Sequence, residues 1–116
     1  MGTCAGLIIL SRDAGELPYN PLGLIDIGVE RNAYGRQRES FIEDITYSLN
    51  GHPGVFPGVF IRAPKIARIG KGVKVLARHK DVAILVTEGN ILAATFHPEL
   101  TENTDIHRYF VENFIQ

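Results

Sequence analysis

The chain has 116 residues, 45% of them apolar and 22% charged, which is the size and balance of one small domain with a modest core. A formal net charge of -1, from 12 basic and 13 acidic residues mixed along the length, provides no long-range field for a polyanion and argues against nucleic acid as a partner. A single cysteine cannot form an internal disulfide, no secretory leader pattern opens the sequence, and no apolar run approaches the roughly 20 residues that cross a bilayer, so the default is a reducing, cytoplasmic compartment with no membrane contact.

The first element is a short helix from Ala5 to about Ser11. Its block Leu7-Ile8-Ile9-Leu10 is too uniformly apolar for a surface helix and predicts packing on both sides. The stretch from Asp13 to Pro21, with Gly15, Pro18, Asn20 and Pro21, predicts a loop. A strand is expected over Leu22 to Val29, where apolar residues alternate and β-branched residues are frequent. Ser40 to Ser48 alternates Phe41, Ile42, Ile45 and Tyr47 with polar residues, and Asn50-Gly51-His52-Pro53-Gly54 is a turn signal. Short strands are expected at Gly58 to Ala63, ended by Pro64, at Val73 to Ala77 and at Val82 to Thr87. Glu88-Gly89-Asn90 predicts a tight turn into Ile91 to Phe96. The period then changes, because Ile106, Tyr109, Phe110 and Phe114 fall at helical spacing, with Thr104 or Asp105 placed to cap the closing amphipathic helix. No repeat, low-complexity tract or interdomain linker interrupts the chain.

The cysteine carries the first chemical signal. In Gly2-Thr3-Cys4-Ala5-Gly6, glycines on both sides permit a sharp strand-to-helix turn of the kind that exposes a nucleophile in Gly-x-Ser-x-Gly hydrolases. A helix start favours the thiolate, and the backbone N–H of Ala5 becomes one oxyanion donor. The alternative for a lone cysteine is a buried structural role. His97-Pro98-Glu99 supplies the complementary pieces, since proline pushes the preceding histidine toward extended geometry, and two residues two positions apart on an extended segment face the same side. Glu99 can then hold one ring nitrogen of His97 while the other takes the thiol proton. On the tripeptide alone, a turn with two solvated polar residues is an equal alternative. Together with Cys4, the order Cys, His, Glu points to nucleophilic catalysis. His52, His79 and His107 show no ligand spacing with His97 and Glu99, so no metal site is expected.

Thr3-Cys4-Ala5-Gly6-Leu7 and Phe96-His97-Pro98-Glu99-Leu100-Thr101 resemble the two signature segments of class I, triad-type glutamine amidotransferases. Val29-Glu30-Arg31-Asn32, Tyr34, Gly35-Arg36-Gln37 and Val59-Phe60-Ile61-Arg62-Ala63-Pro64 narrow the resemblance to the PdxT/SNO family, glutaminase subunits of pyridoxal 5'-phosphate synthase. The resemblance implies an α/β fold: the C-terminal part of a flavodoxin-like domain, strand-rich, with a nucleophile-elbow helix first and a helix last. It makes residues 1–116 a partial glutaminase domain.

For the site, the family pattern implies Cys4 as nucleophile, His97 as general base and acid, and Glu99 as its orienting carboxylate. Arg31, Ile61 and Arg62 fall at positions that contact the bound L-glutamine. The resemblance further implies ammonia transfer to a (β/α)8-barrel synthase subunit and no cofactor of the glutaminase's own. Family members also carry an N-terminal half with a loop supplying a second oxyanion donor. This chain by itself is therefore expected to be weakly active or inactive. A non-catalytic fragment or partner-binding module is the alternative from another class, and a glutaminase of a different ammonia-channelling pathway is a third.

Overall fold

The computed structural model describes residues 1–15, 17, 19–31 and 40–115. In chain order these form β1 (Gly2–Thr3), α1 (Ala5–Leu10), β2 (Ser11–Asp13), β3 (Ile25–Glu30), β4 (Ser40–Leu49), β5 (His52–Ile61), β6 (Lys65–Ile69), β7 (Lys74–His79), β8 (Val82–Glu88), β9 (Ile91–Ala94), a 3₁₀ turn (Pro98–Leu100) and α2 (Asp105–Phe114). Six strands make a mixed sheet in the order β1-β9-β8-β7-β4-β5, and three make a smaller one in the order β2-β3-β6. Within the large sheet β1 lies parallel to β9, with Gly2 opposite Ala93 and Thr3 opposite Ala94. Its other pairings are antiparallel.

Side-chain alternation divides the core between the two faces of the large sheet. One face carries Phe56, Phe60, Ile84 and Leu92, which cluster with Phe96 just after β9 and with Ile106 of α2, and Tyr109, Phe110 and Phe114 of α2 pack against them. The other carries Ala83, Val86 and Ala93 and meets Leu7 of α1 with Ile25, Ile27 and Ile66 of the small sheet. At β1 the approach of α1 is close enough to require glycine, since a Cβ on Gly2 would sit 2.8 Å from the Gly6 carbonyl carbon and oxygen.

Most predicted elements form, and the differences have identifiable causes. Helix α1 is buried along one line only: Leu7 is fully covered while Ile9 is 40% exposed, so the expectation of packing on both sides does not hold for the described residues. Strand β3 starts at Ile25, because the preceding amides are committed elsewhere. Leu22 N donates to Ile9 O at 2.7 Å and Leu24 N to Leu10 O at 2.9 Å, satisfying carbonyls that the end of α1 leaves open. Strand β5 begins at His52, well before the expected start at Gly58. The turn is only Asn50-Gly51, both at positive φ (53° and 77°), the two-residue geometry that matches strand twist. Pro53 and Pro57 fit because β5 is the outermost strand in the sheet order, where a missing N–H breaks no ladder.

Strand β6 was not expected. Only Ile66 in it is buried, which leaves no apolar alternation to detect. At α2, neither Thr104 nor Asp105 caps the helix by its side chain. Asn103 Oδ1 accepts from Asp105 N at 2.9 Å, and the Asp105 carboxylate instead accepts from Tyr47 Oη at 2.8 Å.

Candidate active site

Cys4 stands at the turn between β1 and α1 with φ 51° and ψ -106°, a conformation that costs a non-glycine residue on the order of 1–3 kcal/mol. Two backbone bonds hold it there. Cys4 N donates to Ala94 O at 2.8 Å, and Cys4 O accepts from Ile8 N at 3.3 Å. The parallel β1–β9 register thus fixes the Cys4 turn against the strand that leads to His97. The expected sharp strand-to-helix turn at Cys4 is formed, on a strand of two residues.

The sulfur is half-buried and its Sγ–H donates to Ile61 O at 3.6 Å. Burial pushes the thiol pKa up, the Ala5 N–H pulls it down, and the Glu99 charge pushes it up, with a net rise. This corrects the expectation that the helix start alone would favour the thiolate. Helix α1 has only six residues, and its field is outweighed by desolvation. The Ala5 N–H hydrogen-bonds the sulfur at rest.

His97 and Glu99 meet, but not along an extended segment. His97 takes φ -110° and ψ 86° before a 3₁₀ turn that starts at Pro98, and the tight turn brings Glu99 Oε2 to 2.6 Å from His97 Nδ1. With the carboxylate ionised, Nδ1 carries the hydrogen and Nε2 is left as the basic nitrogen. Burial works against the Glu99 charge, yet the hydrogen bond from His97 and the charges of His97 and His107 outweigh it and lower its pKa. The main chain of the histidine is anchored as well, because His97 N donates to Val59 O at 2.8 Å.

Strand β5 is the common wall. Val59 holds the histidine backbone and Ile61, two residues on, receives the thiol. Cys4, His97, Glu99 and Ile61 therefore gather where β1, β9 and β5 end. Arg62 follows directly with a left-handed backbone at φ 47° and an exposed side chain. Arg31 follows β3, whose last pair is Glu30 with Lys65, so Arg31 and Arg62 leave the same end of the small sheet. Asn32, Tyr34 and Gly35-Arg36-Gln37 lie outside the described residues.

Sequence reasoning missed Val59 and Ala94, which act through backbone carbonyls and leave no side-chain signature. It also missed Thr95, whose fully buried Oγ1 has no hydrogen-bond partner. Among the described residues, no group of three or more His, Cys, Asp or Glu side chains could hold a metal ion, and no helix is long and apolar enough to cross a membrane.

A pyridoxal 5'-phosphate synthase subunit PdxT from Thermosipho africanus is 52% identical over 110 residues, covering 95% of this chain and 57% of the relative. The subunit of the same name from Thermus thermophilus is 55% identical over 112 residues, covering 96% of this chain and 57% of the relative. This chain thus spans 57% of the length of each. A solved structure described as a crystal structure of glutamine amidotransferase superposes with a TM-score of 0.86 at 53% identity, over 96% of this chain and 58% of the other. The sequence profile of one family matches residues 1–116. The chain belongs to the SNO glutamine amidotransferase family.

Proposed function

We propose that residues 1–116 are part of a glutaminase domain that hydrolyses L-glutamine to L-glutamate and passes the ammonia to a pyridoxal 5'-phosphate synthase subunit. One observation carries this reading: a strained cysteine turn and a His97–Glu99 pair converge on the end of β5. The relatives named as subunits of that synthase support the pathway. The partner proposed is the (β/α)8-barrel synthase subunit that the family resemblance implies, and a free catalytic thiol suits a cytoplasmic, reducing compartment.

In this reading His97 Nε2 takes the Cys4 proton as sulfur attacks the amide carbon of glutamine. The oxyanion draws the Ala5 N–H away from sulfur. His97 returns the proton to nitrogen, the C–N bond breaks and ammonia leaves. Water, giving a proton to His97, then cleaves the thioester, and glutamate departs as the thiol is restored. Arg31 and Arg62 hold the substrate's α-carboxylate, for which the planar guanidinium is suited. No cofactor takes part.

The test is glutamate release from glutamine in the presence of the synthase subunit, comparing the protein with Cys4→Ala. Release is expected only with Cys4, and equal release without it would end the proposal. Residues 1–116 assayed by themselves are expected to turn over on the order of 100-fold or more slowly than a full-length relative, the loss typical when one oxyanion donor is removed.

A further inference from the structure

Among the described residues, the end of the β4–β5 hairpin that forms the site wall carries no ladder pairing to the rest of the sheet. Strands β4 and β5 pair continuously from Leu49 opposite His52 to Ser40 opposite Ile61. Among the described residues, strand β4 pairs with β7 at Thr46 opposite Arg78 and Tyr47 opposite Ala77. Strand β7 ends at His79, so the half of the hairpin holding Phe41, Glu43, Val59 and Ile61 runs past it.

Side chains take over where the ladder stops. His79 Nε2 lies 2.8 Å from Glu43 Oε2, with the two side chains 14% and 32% exposed. The His79 ring sits 6.3 Å from Phe41 and 5.8 Å from Phe60, which stack on each other at 4.7 Å. Phe60 in turn lies 5.5 Å from Phe96, the neighbour of His97. Phe60 also stands between Val59, which anchors His97, and Ile61, which receives the thiol.

We propose that His79 and Glu43 are a positioning pair for the active site, setting through Phe60 where the end of β5 stands relative to Cys4 and His97. The inference rests on the glutaminase reading for its kinetic consequence, but not for its structural one. Neither residue touches the reacting atoms. Their effect is to fix the Val59 and Ile61 carbonyls, and small displacements of such supports change rates by large factors.

The test compares His79→Leu, His79→Gln and Glu43→Gln in the full chain with its synthase partner, with Leu49→Ala as a control that loosens the opposite end of the hairpin. Two quantities are read: kcat/KM for glutamine and the rate of Cys4 alkylation by iodoacetamide. For His79→Leu, kcat/KM is expected to fall on the order of tenfold and the alkylation rate to change by about threefold or more. His79→Gln, which retains a donor toward Glu43, should recover most of both. Leu49→Ala should lower the Tm while leaving the alkylation rate near that of the parent.

A folded His79→Leu protein with parental kcat/KM and alkylation rate would overturn the proposal. So would Leu49→Ala producing the same alkylation change at the same loss of Tm, since the effect would then be general loosening. If His79→Leu does not fold, Glu43→Gln decides by the same two readouts. If the parent itself releases no glutamate, the glutaminase reading fails, and the alkylation rates alone decide the positioning role.

Discussion

At Cys4 the balance between burial and polarisation determines how the site rests. Desolvation and the Glu99 charge together outweigh the Ala5 N–H and raise the thiol pKa, so the site at rest disfavours the thiolate. Iodoacetamide labelling of Cys4 followed against pH should show a midpoint above that of an ordinary thiol. A midpoint below it would contradict this electrostatic account. The same shift has a stability consequence with a definite sign. Cys4 contributes stability below the ordinary thiol pKa, and that contribution is lost as pH rises through the elevated folded value, because the unfolded chain then releases the proton first. Cys4→Ser should therefore flatten the alkaline limb of a plot of Tm against pH. Glu99 acts in the opposite sense. Its lowered pKa gives a contribution present above the ordinary carboxylate pKa and lost as pH falls through the folded value. The carboxylate is 43% exposed, so solvent screening keeps the stability effect small and its orienting role should dominate. Glu99→Gln leaves the shape of the site but can stabilise the wrong ring tautomer, and kcat is expected to fall by about 100-fold or more with little change in Tm. Steady-state glutamate release at saturating glutamine measures it, and an unchanged kcat would remove Glu99 from the mechanism.

Elements here are specified by glycine and proline as much as by apolar pattern. A Cβ on Gly54 would enter the Tyr47 ring, the same ring whose hydroxyl donates to Asp105 and ties the hairpin to α2. Gly54→Val should displace that ring, break the tie and cost about 1–3 kcal/mol, the usual range for overpacking. Urea denaturation measures the cost, and Tyr47→Phe, which removes only the hydroxyl, should lose about 1 kcal/mol. Equal stability in Gly54→Val would mean that the ring can move aside freely. These packing relations also mark the limit of what the sequence discloses. The strand-to-helix turn at Cys4, the presence of a turn beginning at Asn50-Gly51 and the His97–Glu99 proximity are local and were legible from residue type and spacing. His52-Pro53-Gly54 looked like part of the turn that opens at Asn50-Gly51, and it is the place of β5 at the sheet edge that lets this proline-containing run be a strand. The unexpected β6 depends on pairing with β3, as in Ile66 opposite Val29, since its own alternation is weak. Val59 and Ala94 contribute carbonyls to the site, which any residue type could supply.

For the molecule as a whole, the two sheets must keep a fixed relation, because Arg31 leaves the small one while Cys4 and His97 belong to the end of the large one. Apolar packing of Ile25 and Ile27 against Val86 and Ala93 supplies most of that relation, but it is non-directional. Direction comes from a polar junction. Asp26 N, in β3, donates to Glu88 Oε1, in β8, at 2.8 Å, while Gly70 N donates to Asp26 O at 2.8 Å. The Asp26 carboxylate meets Arg68 at 2.9 Å and Arg12 at 3.4 Å. Both arginines are about half exposed or more, at 48% and 59%, and exposed pairs of this kind contribute no more than about 1 kcal/mol each. The Glu88 bond is different, since it is partly buried, charge-assisted and made to a backbone amide, whose loss would leave that amide without its acceptor. Glu88→Ala is expected to destabilise the protein by about 1.5–3 kcal/mol, whereas Arg12→Ala and Arg68→Ala should each stay within about 1 kcal/mol. Amide hydrogen exchange should show the difference in kind: Glu88→Ala should speed exchange in β3 and β6 while β8 and β9 remain protected, as expected when one cooperative unit loosens on another. In glutamine hydrolysis the same variant should raise KM more than it lowers kcat, because it releases the small sheet at the end opposite Arg31, lets that sheet pivot, and leaves the Cys4–His97 end of the large one in place. Uniformly faster exchange in both sheets, or a loss confined to kcat, would show that Glu88 does not orient one sheet on the other.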